Sequence, residues 1–147
     1  MRRGIERMYF GHSHLLRAID SRLATAKLGR AHHRTLYFVA RKPGLTIAEL
    51  LGILGITKQS LSRVVKDLGA AGLLEAAPGR RDRRQKELRL TAAGAALEAD
   101  LFAALREAMA RAYSAAGQSA VTGFWQVCEA LIPLRERPRI AALDVRD

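Results

Sequence analysis

Two short stretches carry the residue types that could do chemistry, and both point to a polyanion. The first is Thr57-Lys58-Gln59-Ser60-Leu61-Ser62-Arg63-Val64-Val65-Lys66. Gln59, Ser62, Arg63 and Lys66 recur at three- and four-residue steps, so on a helix they share one side, with Lys58 and Ser60 near its start. These side chains suit base edges: glutamine pairs bidentately with adenine, arginine with guanine, and serine bonds to either. The first turn of such a helix also offers unpaired backbone N–H groups to a phosphate. The second stretch, Arg80-Arg81-Asp82-Arg83-Arg84, places four arginines around one carboxylate. Clustered like charges repel, so the loop is costly unless a polyanion takes it up. The narrow minor groove concentrates the negative potential that attracts arginine. Asp82 would weaken that attraction unless it orients a neighbouring arginine by a charge-assisted bond. The plainer readings are a polar helix side and a solvated basic turn.

The elements that must position these stretches are readable from period and punctuation. Ile5, Met8, His12, Leu15, Leu16, Ile19 and Leu23 mark an amphipathic helix from about Ile5 to Lys27, with Gly29 at its end. A second helix is predicted over Ala31 to Arg41, stopped by Lys42-Pro43-Gly44. Thr46 with Glu49 three residues on is a capping box, flanked by Leu45 and Leu50. Gly55 breaks that helix, and Thr57 caps the next, which runs to about Ala71 and ends at Gly72. Leu61, Val64, Val65 and Leu68 form its inward stripe. The period then changes: Leu73 to Ala77 and Lys86 to Leu90 read as two strands, joined by the basic loop. A long helix follows from Thr91 to Ala115, with Leu97, Leu101, Ala104, Leu105, Ala108 and Ala112 in its stripe. Val121, Phe124, Trp125, Cys128, Leu131 and Ile132 make a last stripe, closed by Pro133.

Helix, short turn, second helix and two-stranded hairpin form the plan of a winged helix-turn-helix. The predicted fold class is mainly α: a winged helix-turn-helix with a two-stranded β-hairpin wing and an N- and C-terminal helical dimerisation region. Residues 31–91 are the expected DNA-binding part, and residues 1–30 and 92–147 the dimerisation part. The long stripes exceed what one small winged domain can cover, and two recognition helices ~34 Å apart would read a pseudo-palindrome. Double-stranded DNA and a second copy of the chain are therefore the expected partners.

Charge and composition agree. The chain has 147 residues, 25 Lys+Arg against 14 Asp+Glu, and a net charge of +11. Residues 1–91 hold 19 basic and 7 acidic side chains, whereas residues 92–147 hold 6 and 7, so one strongly basic portion is joined to a nearly neutral one. No apolar run approaches the roughly 18–20 residues a membrane span needs. Met1 to His14 has arginines but no apolar core behind them, so no secretory signal is expected. Cys128 is the lone cysteine and forms no internal disulfide, which makes a reducing, cytoplasmic setting the expectation.

The residues from Leu28 to Gly94 resemble the MarR-type transcriptional regulators. Leu45-Thr46-Ile47-Ala48-Glu49-Leu50 followed by Leu54-Gly55-Ile56-Thr57-Lys58-Gln59-Ser60-Leu61-Ser62-Arg63 is similar to that family's helix-turn-helix. Leu68 and Ala71-Gly72-Leu73 match its helix end and first strand. Asp82-Arg83-Arg84, Leu88, Leu90-Thr91 and Gly94 match its wing and the exit into the long helix. The resemblance implies a dimeric DNA-binding regulator, usually a repressor, often released by a small-molecule effector or by oxidation. It assigns Gln59, Ser60, Ser62 and Arg63 to base and phosphate contacts and Arg83 or Arg84 to the minor groove. Leu51 stands where the family commonly has a small residue, and Gln59 where proline is common.

The candidate DNA-binding residues are thus Thr57, Lys58, Gln59, Ser60, Ser62, Arg63, Lys66, Arg80, Arg81, Asp82, Arg83 and Arg84. His12, His33 and Tyr37 are candidates for an effector pocket, partly buried packing being the plainer reading. No His or Cys spacing marks a metal site, and no phosphate loop, paired carboxylate or Ser–His–Asp arrangement marks a catalyst, so neither cofactor nor enzyme activity is expected. Cys128 is expected to pack in a core beside Phe124, Trp125 and Leu131, where a thiol is inert. Arg135-Glu136-Arg137-Pro138-Arg139 reads as a solvated tail. The competing class is an RNA-binding or ribosome-associated basic protein, which exposed stacking aromatics would favour. A protein-interaction module without DNA binding is the third, and the arginine loop argues against it.

Overall fold

Helix α1 spans Arg2–Thr25, α2 Arg30–Arg41, α3 Ile47–Leu54, α4 Lys58–Ala70, α5 Ala92–Ala116, α6 Gln118–Leu131 and α7 Arg137–Ala141. Strand β1 is Leu45–Thr46, β2 Leu74–Pro78 and β3 Lys86–Leu90. The computed structural model describes residues 1–79 and 83–143, so Arg80, Arg81 and Asp82 lie outside the described residues.

The helix ends follow their local chemistry. Thr46 caps α3: its Oγ1 accepts the Glu49 N–H at 3.2 Å while Glu49 Oε2 accepts the Thr46 N–H at 2.9 Å. Gly55 ends α3 in the left-handed region, φ +62°, where a side chain would be strained, and this makes the sharp turn into α4. Thr57 Oγ1 accepts the Ser60 N–H at 3.2 Å and caps α4. At the other end of α4 the Leu73 N–H reaches Leu68 O at 2.9 Å and the Gly72 N–H reaches Gly69 O at 3.0 Å. These two bonds form a Schellman closure, so Leu73 belongs to the helix cap and the strand starts at Leu74, one residue later than predicted. The end of α1 also differs from expectation. Lys27, at φ +56°, takes the left-handed position, and Leu28 N–H reaches Leu23 O at 2.8 Å. Gly29 is instead the N-cap of α2.

The sheet has three antiparallel strands in the order β1-β3-β2, one more than the predicted hairpin. The extra strand is the Leu45–Thr46 pair that precedes α3. Leu45 is opposite Leu88 and Thr46 opposite Glu87, and Gly44 N–H reaches Leu88 O at 3.0 Å. Leu74 pairs with Leu90 and Pro78 with Lys86 along the wing.

The chain forms two compact units, residues 19–103 and residues 1–18 with 104–147. The winged unit therefore takes in the last seven residues of α1 and the first half of α5, beyond the boundaries at residues 30 and 92 that the patterning suggested. Ile19, Leu23 and Leu101 are each at most 2% exposed, and they belong with Leu36, Val39, Leu45, Leu50, Leu61, Leu68 and Leu88 among its buried side chains. Arg22 pairs with Asp100 and Arg30 with Asp20, both at 2.9 Å, on the same unit.

The helical unit has no comparable core. Among its described residues only Ala104 and Val121 are buried apolar side chains, whereas Ile5, Met8, Tyr9, Phe10, Phe124, Trp125 and Leu131 are all exposed. Ile5, Met8 and His12 of the predicted α1 stripe and Phe124, Trp125 and Leu131 of the α6 stripe are exposed within one chain, whereas Ile19 and Leu23 of α1 and Val121 of α6 are buried. Cys128 is accordingly half-buried, not packed in a core. Trp125 Nε1 donates to Tyr113 Oη at 2.8 Å, and both line a cleft of about 470 Å³. The expected solvated tail is partly anchored: Arg137 donates to Ile132 O at 3.3 Å and Glu129 O at 3.1 Å before entering α7. A guanidinium there adds donors to the carbonyls at the negative end of α6, where Glu129 O also accepts the Ile132 N–H at 3.1 Å.

Gly94 marks a tight joint in the winged unit. A Cβ on it would lie 1.9 Å from Leu73 O. Thr91 holds the same joint, donating to Gly72 O at 2.7 Å and accepting the Gly94 N–H at 3.0 Å. Gly94→Ala must push α5 away from the end of α4, and urea unfolding should show a loss of about 3 kcal/mol. An unchanged midpoint would show that the joint has slack.

Candidate nucleic-acid interface

Helix α4 is anchored by Leu61 and Leu68, both fully buried, and Val64, 7% exposed. Val65, also assigned inward, is half-buried. Because a helix turns 100° per residue, burying that stripe leaves the opposite side in solvent. Lys58, Gln59, Ser60, Ser62, Arg63 and Lys66 are all exposed, as is the capping Thr57. Lys58, Arg63 and Lys66 make no ion pair among the described residues. Ser60 is partly committed to the cap, since its Oγ accepts the Thr57 hydroxyl at 2.8 Å. Its own hydroxyl proton is not used in that bond.

The start of α3 is locked by charge. Lys42 Nζ lies 2.7 Å from Glu49 Oε1, and Glu49 Oε2 takes the Thr46 N–H and hydroxyl. Partial burial pushes the Glu49 carboxyl up, but the bonds from Lys42 and Thr46 outweigh it and hold the pKa at about 2. Sequence reasoning took Lys42 only as part of a helix stop.

The wing projects from β2 and β3. Gly79 N–H reaches Gln85 O at 2.7 Å and narrows the hairpin. Arg83 and Arg84 stand exposed in the turn before β3, followed by exposed Lys86. The remaining predicted loop residues, Arg80, Arg81 and Asp82, lie outside the described residues. The exposed aromatics Tyr9, Phe10, Phe102, Phe124 and Trp125 sit on α1, α5 and α6. None lies on α4 or the described wing, so the basic surface that would meet RNA carries no stacking aromatic among the described residues.

The three candidate pocket residues have different settings. His33 is 6% exposed, and neither ring nitrogen has a hydrogen-bond partner. Its ring lies 6.3 Å from that of half-buried Tyr37, which in turn is 6.3 Å from Phe102 of α5. His12 is exposed and belongs to the helical unit. Two further residues were missed as contributors: His32, whose Nδ1 accepts the Gly29 N–H at 3.0 Å, and Asp67 of α4, whose Oδ2 lies 3.4 Å from His32 Nε2. Their meeting is a long-range event that no local spacing announces.

Capped helix, tight turn, exposed basic helix and hairpin define a winged helix-turn-helix DNA-binding protein. The model of the MarR family matches residues 26–85. The chain is 48% identical over 132 residues to the HTH-type transcriptional regulator PetP of Rhodobacter capsulatus, covering 90% of this chain and 80% of that one. A cysteine-to-serine mutant of MarR from E. coli complexed with operator DNA matches with a TM-score of 0.72 at 18% identity, over 87% of this chain and 92% of that one. The PcaV regulator of Streptomyces coelicolor, in complex with its natural ligand, matches with a TM-score of 0.65 at 19% identity, over 86% and 87%. The chain belongs to the MarR family of DNA-binding transcriptional regulators, a family of regulators and not of enzymes. Among the described residues no helix is long and apolar enough to cross a membrane, and no His, Cys, Asp and Glu group could hold a metal.

His33 should make the winged unit less stable in acid. Burial, and secondarily the Arg34 charge, pull its pKa below the ordinary 6.5. A group with a depressed folded pKa binds its proton more readily when unfolded. Its contribution to stability is therefore complete above pH 6.5 and is lost as pH falls below that value. Denaturant unfolding across pH 7.5 to 5 should show this decline, and His33→Gln should flatten it. An equal decline in the variant would assign the acid sensitivity to other groups.

Proposed function

We propose that the protein represses transcription as a homodimer that binds pseudo-palindromic double-stranded DNA, in the cytoplasm and without catalytic activity of its own. The observation that carries this reading is the outer side of α4: Gln59, Ser62, Arg63 and Lys66 aligned and exposed, with the opposite side wholly committed to packing. Gln59, Ser62 and Arg63 read base edges in the major groove, while Lys58, Ser60 and Lys66 meet phosphates, helped by the N–H groups of the Thr57-capped turn. Arg83 and Arg84, with Arg80 and Arg81, follow the minor groove and its phosphates.

The homodimer rests on the helical unit. Its exposed Ile5, Met8, Phe124, Trp125 and Leu131 are too many for a solvent-facing surface, and a second copy of the same helices is the natural cover. A small-molecule effector would relieve repression. The buried, unpartnered His33 ring beside Tyr37 supports a polar-aromatic ligand site on α2. His12 is the weaker member of that candidate set, being exposed.

Selection of bound duplexes from a random pool tests the reading as a whole. A two-fold symmetric motif is expected, together with a dimer in sedimentation. An asymmetric or absent motif, or a monomer, overturns it. On the selected duplex, Arg63→Ala should cost ~1–3 kcal/mol and relax one base position. Arg83→Ala should weaken all sequences alike and lower the salt slope by about 1. Equal, small effects from both would count against base readout.

A further inference from the structure

Asp67 is the single acidic residue of α4 and stands four residues after Arg63. At that spacing an arginine and a carboxylate are neighbours on a helix surface. They are not paired here. Asp67 Oδ2 faces His32 Nε2 of α2 at 3.4 Å, and Arg63 makes no ion pair among the described residues. The geometry of His32 explains the choice. Its Nδ1 accepts the Gly29 N–H at 3.0 Å, so a neutral ring carries its proton on Nε2, the atom turned toward Asp67. The same ring thus closes the first turn of α2 and aims its only donor at the recognition helix. Its side chain is 18% exposed against 49% for Asp67, so the fixed partner is the histidine.

We infer that His32 is a positioning residue for DNA readout: it holds Asp67 against α2 and so keeps the one carboxylate of the recognition helix off Arg63 and away from the duplex phosphates. The inference rests on the reading of Arg63 as a base contact. A released Asp67 would compete with guanine for the Arg63 guanidinium and add a negative charge beside the phosphates. Exposed pairs of this kind shift an equilibrium by about two- to fivefold, which is the size of effect to look for.

Two conservative variants separate the two duties of the ring. His32→Asn keeps an acceptor near the Gly29 N–H but does not reach Asp67. His32→Gln keeps a donor toward Asp67 and gives up the Gly29 bond. Both remain polar, and thermal melting checks that each folds. Fluorescence anisotropy is measured on the duplex recovered from the random pool and on a scrambled duplex of the same composition. His32→Asn should bind the selected duplex about threefold more weakly, and His32→Gln like wild type. Asp67→Asn alone should change little, yet in the His32→Asn background it should restore affinity, a non-additivity that a purely structural role does not produce. Wild-type binding by His32→Asn, a loss confined to His32→Gln, or no restoration by Asp67→Asn would each overturn the inference. Arg63→Ala tells the two readings apart. If it leaves the preference for the selected duplex intact, base readout itself fails and takes this inference with it. If it removes the preference while Asp67→Asn restores nothing, only the role of His32 falls.

Discussion

The winged unit depends on the burial of three side chains, Leu61, Val64 and Leu68, at successive turns of α4. Removing each from water contributes roughly 1.5–3 kcal/mol, far more than any single polar contact on the opposite side. That imbalance fixes the rotation of the helix about its axis. Once the stripe is inward, Gln59, Ser62, Arg63 and Lys66 have nowhere to go but outward. The polar side of α4 is therefore a by-product of packing, and none of these four side chains is needed to hold the helix in that rotation. The chemistry can vary without touching the fold.

A helix fixed in rotation must also be fixed in place relative to the wing, and here the short β1 strand matters more than its two residues suggest. It ties the start of α3 to β3, with Leu45 opposite Leu88, both fully buried. The far end of α4 is tied to the start of α5 by Thr91 and by the close approach of Gly94 to Leu73. Wing and recognition helix are thus braced at both ends. On the proposed reading, in which α4 and the wing meet two grooves at once, such bracing spares the cost of ordering one element after the other has bound.

Much of this was legible from residue order because the deciding signals are local. Thr46 and Glu49, Thr57, Gly55 and the alternation Leu88–Leu90 each act within a few residues of themselves. What escaped was non-local or ambiguous. The Leu45–Thr46 strand is too short to show a period and was absorbed into a cap. Gly29 follows a helix and precedes another, and Lys27 took the left-handed position in its stead. The Arg135–Arg139 run looks like solvent-facing charge, yet Arg137 donates to two carbonyls at the end of α6. The His32–Asp67 contact joins residues far apart in the chain and leaves no trace in either neighbourhood.

The apolar stripes show a different limit. Periodicity identified faces on α1 and α6 but not what covers them, because it reports only that side chains prefer to leave water. Within one chain the winged unit satisfies that preference, and the helical unit, with Ala104 and Val121 as its buried apolar residues among those described, does not. A unit this poor in core contributes little to stability alone. If a second copy supplies the cover, folding of the helical unit and association become one equilibrium, and its apparent stability rises with protein concentration.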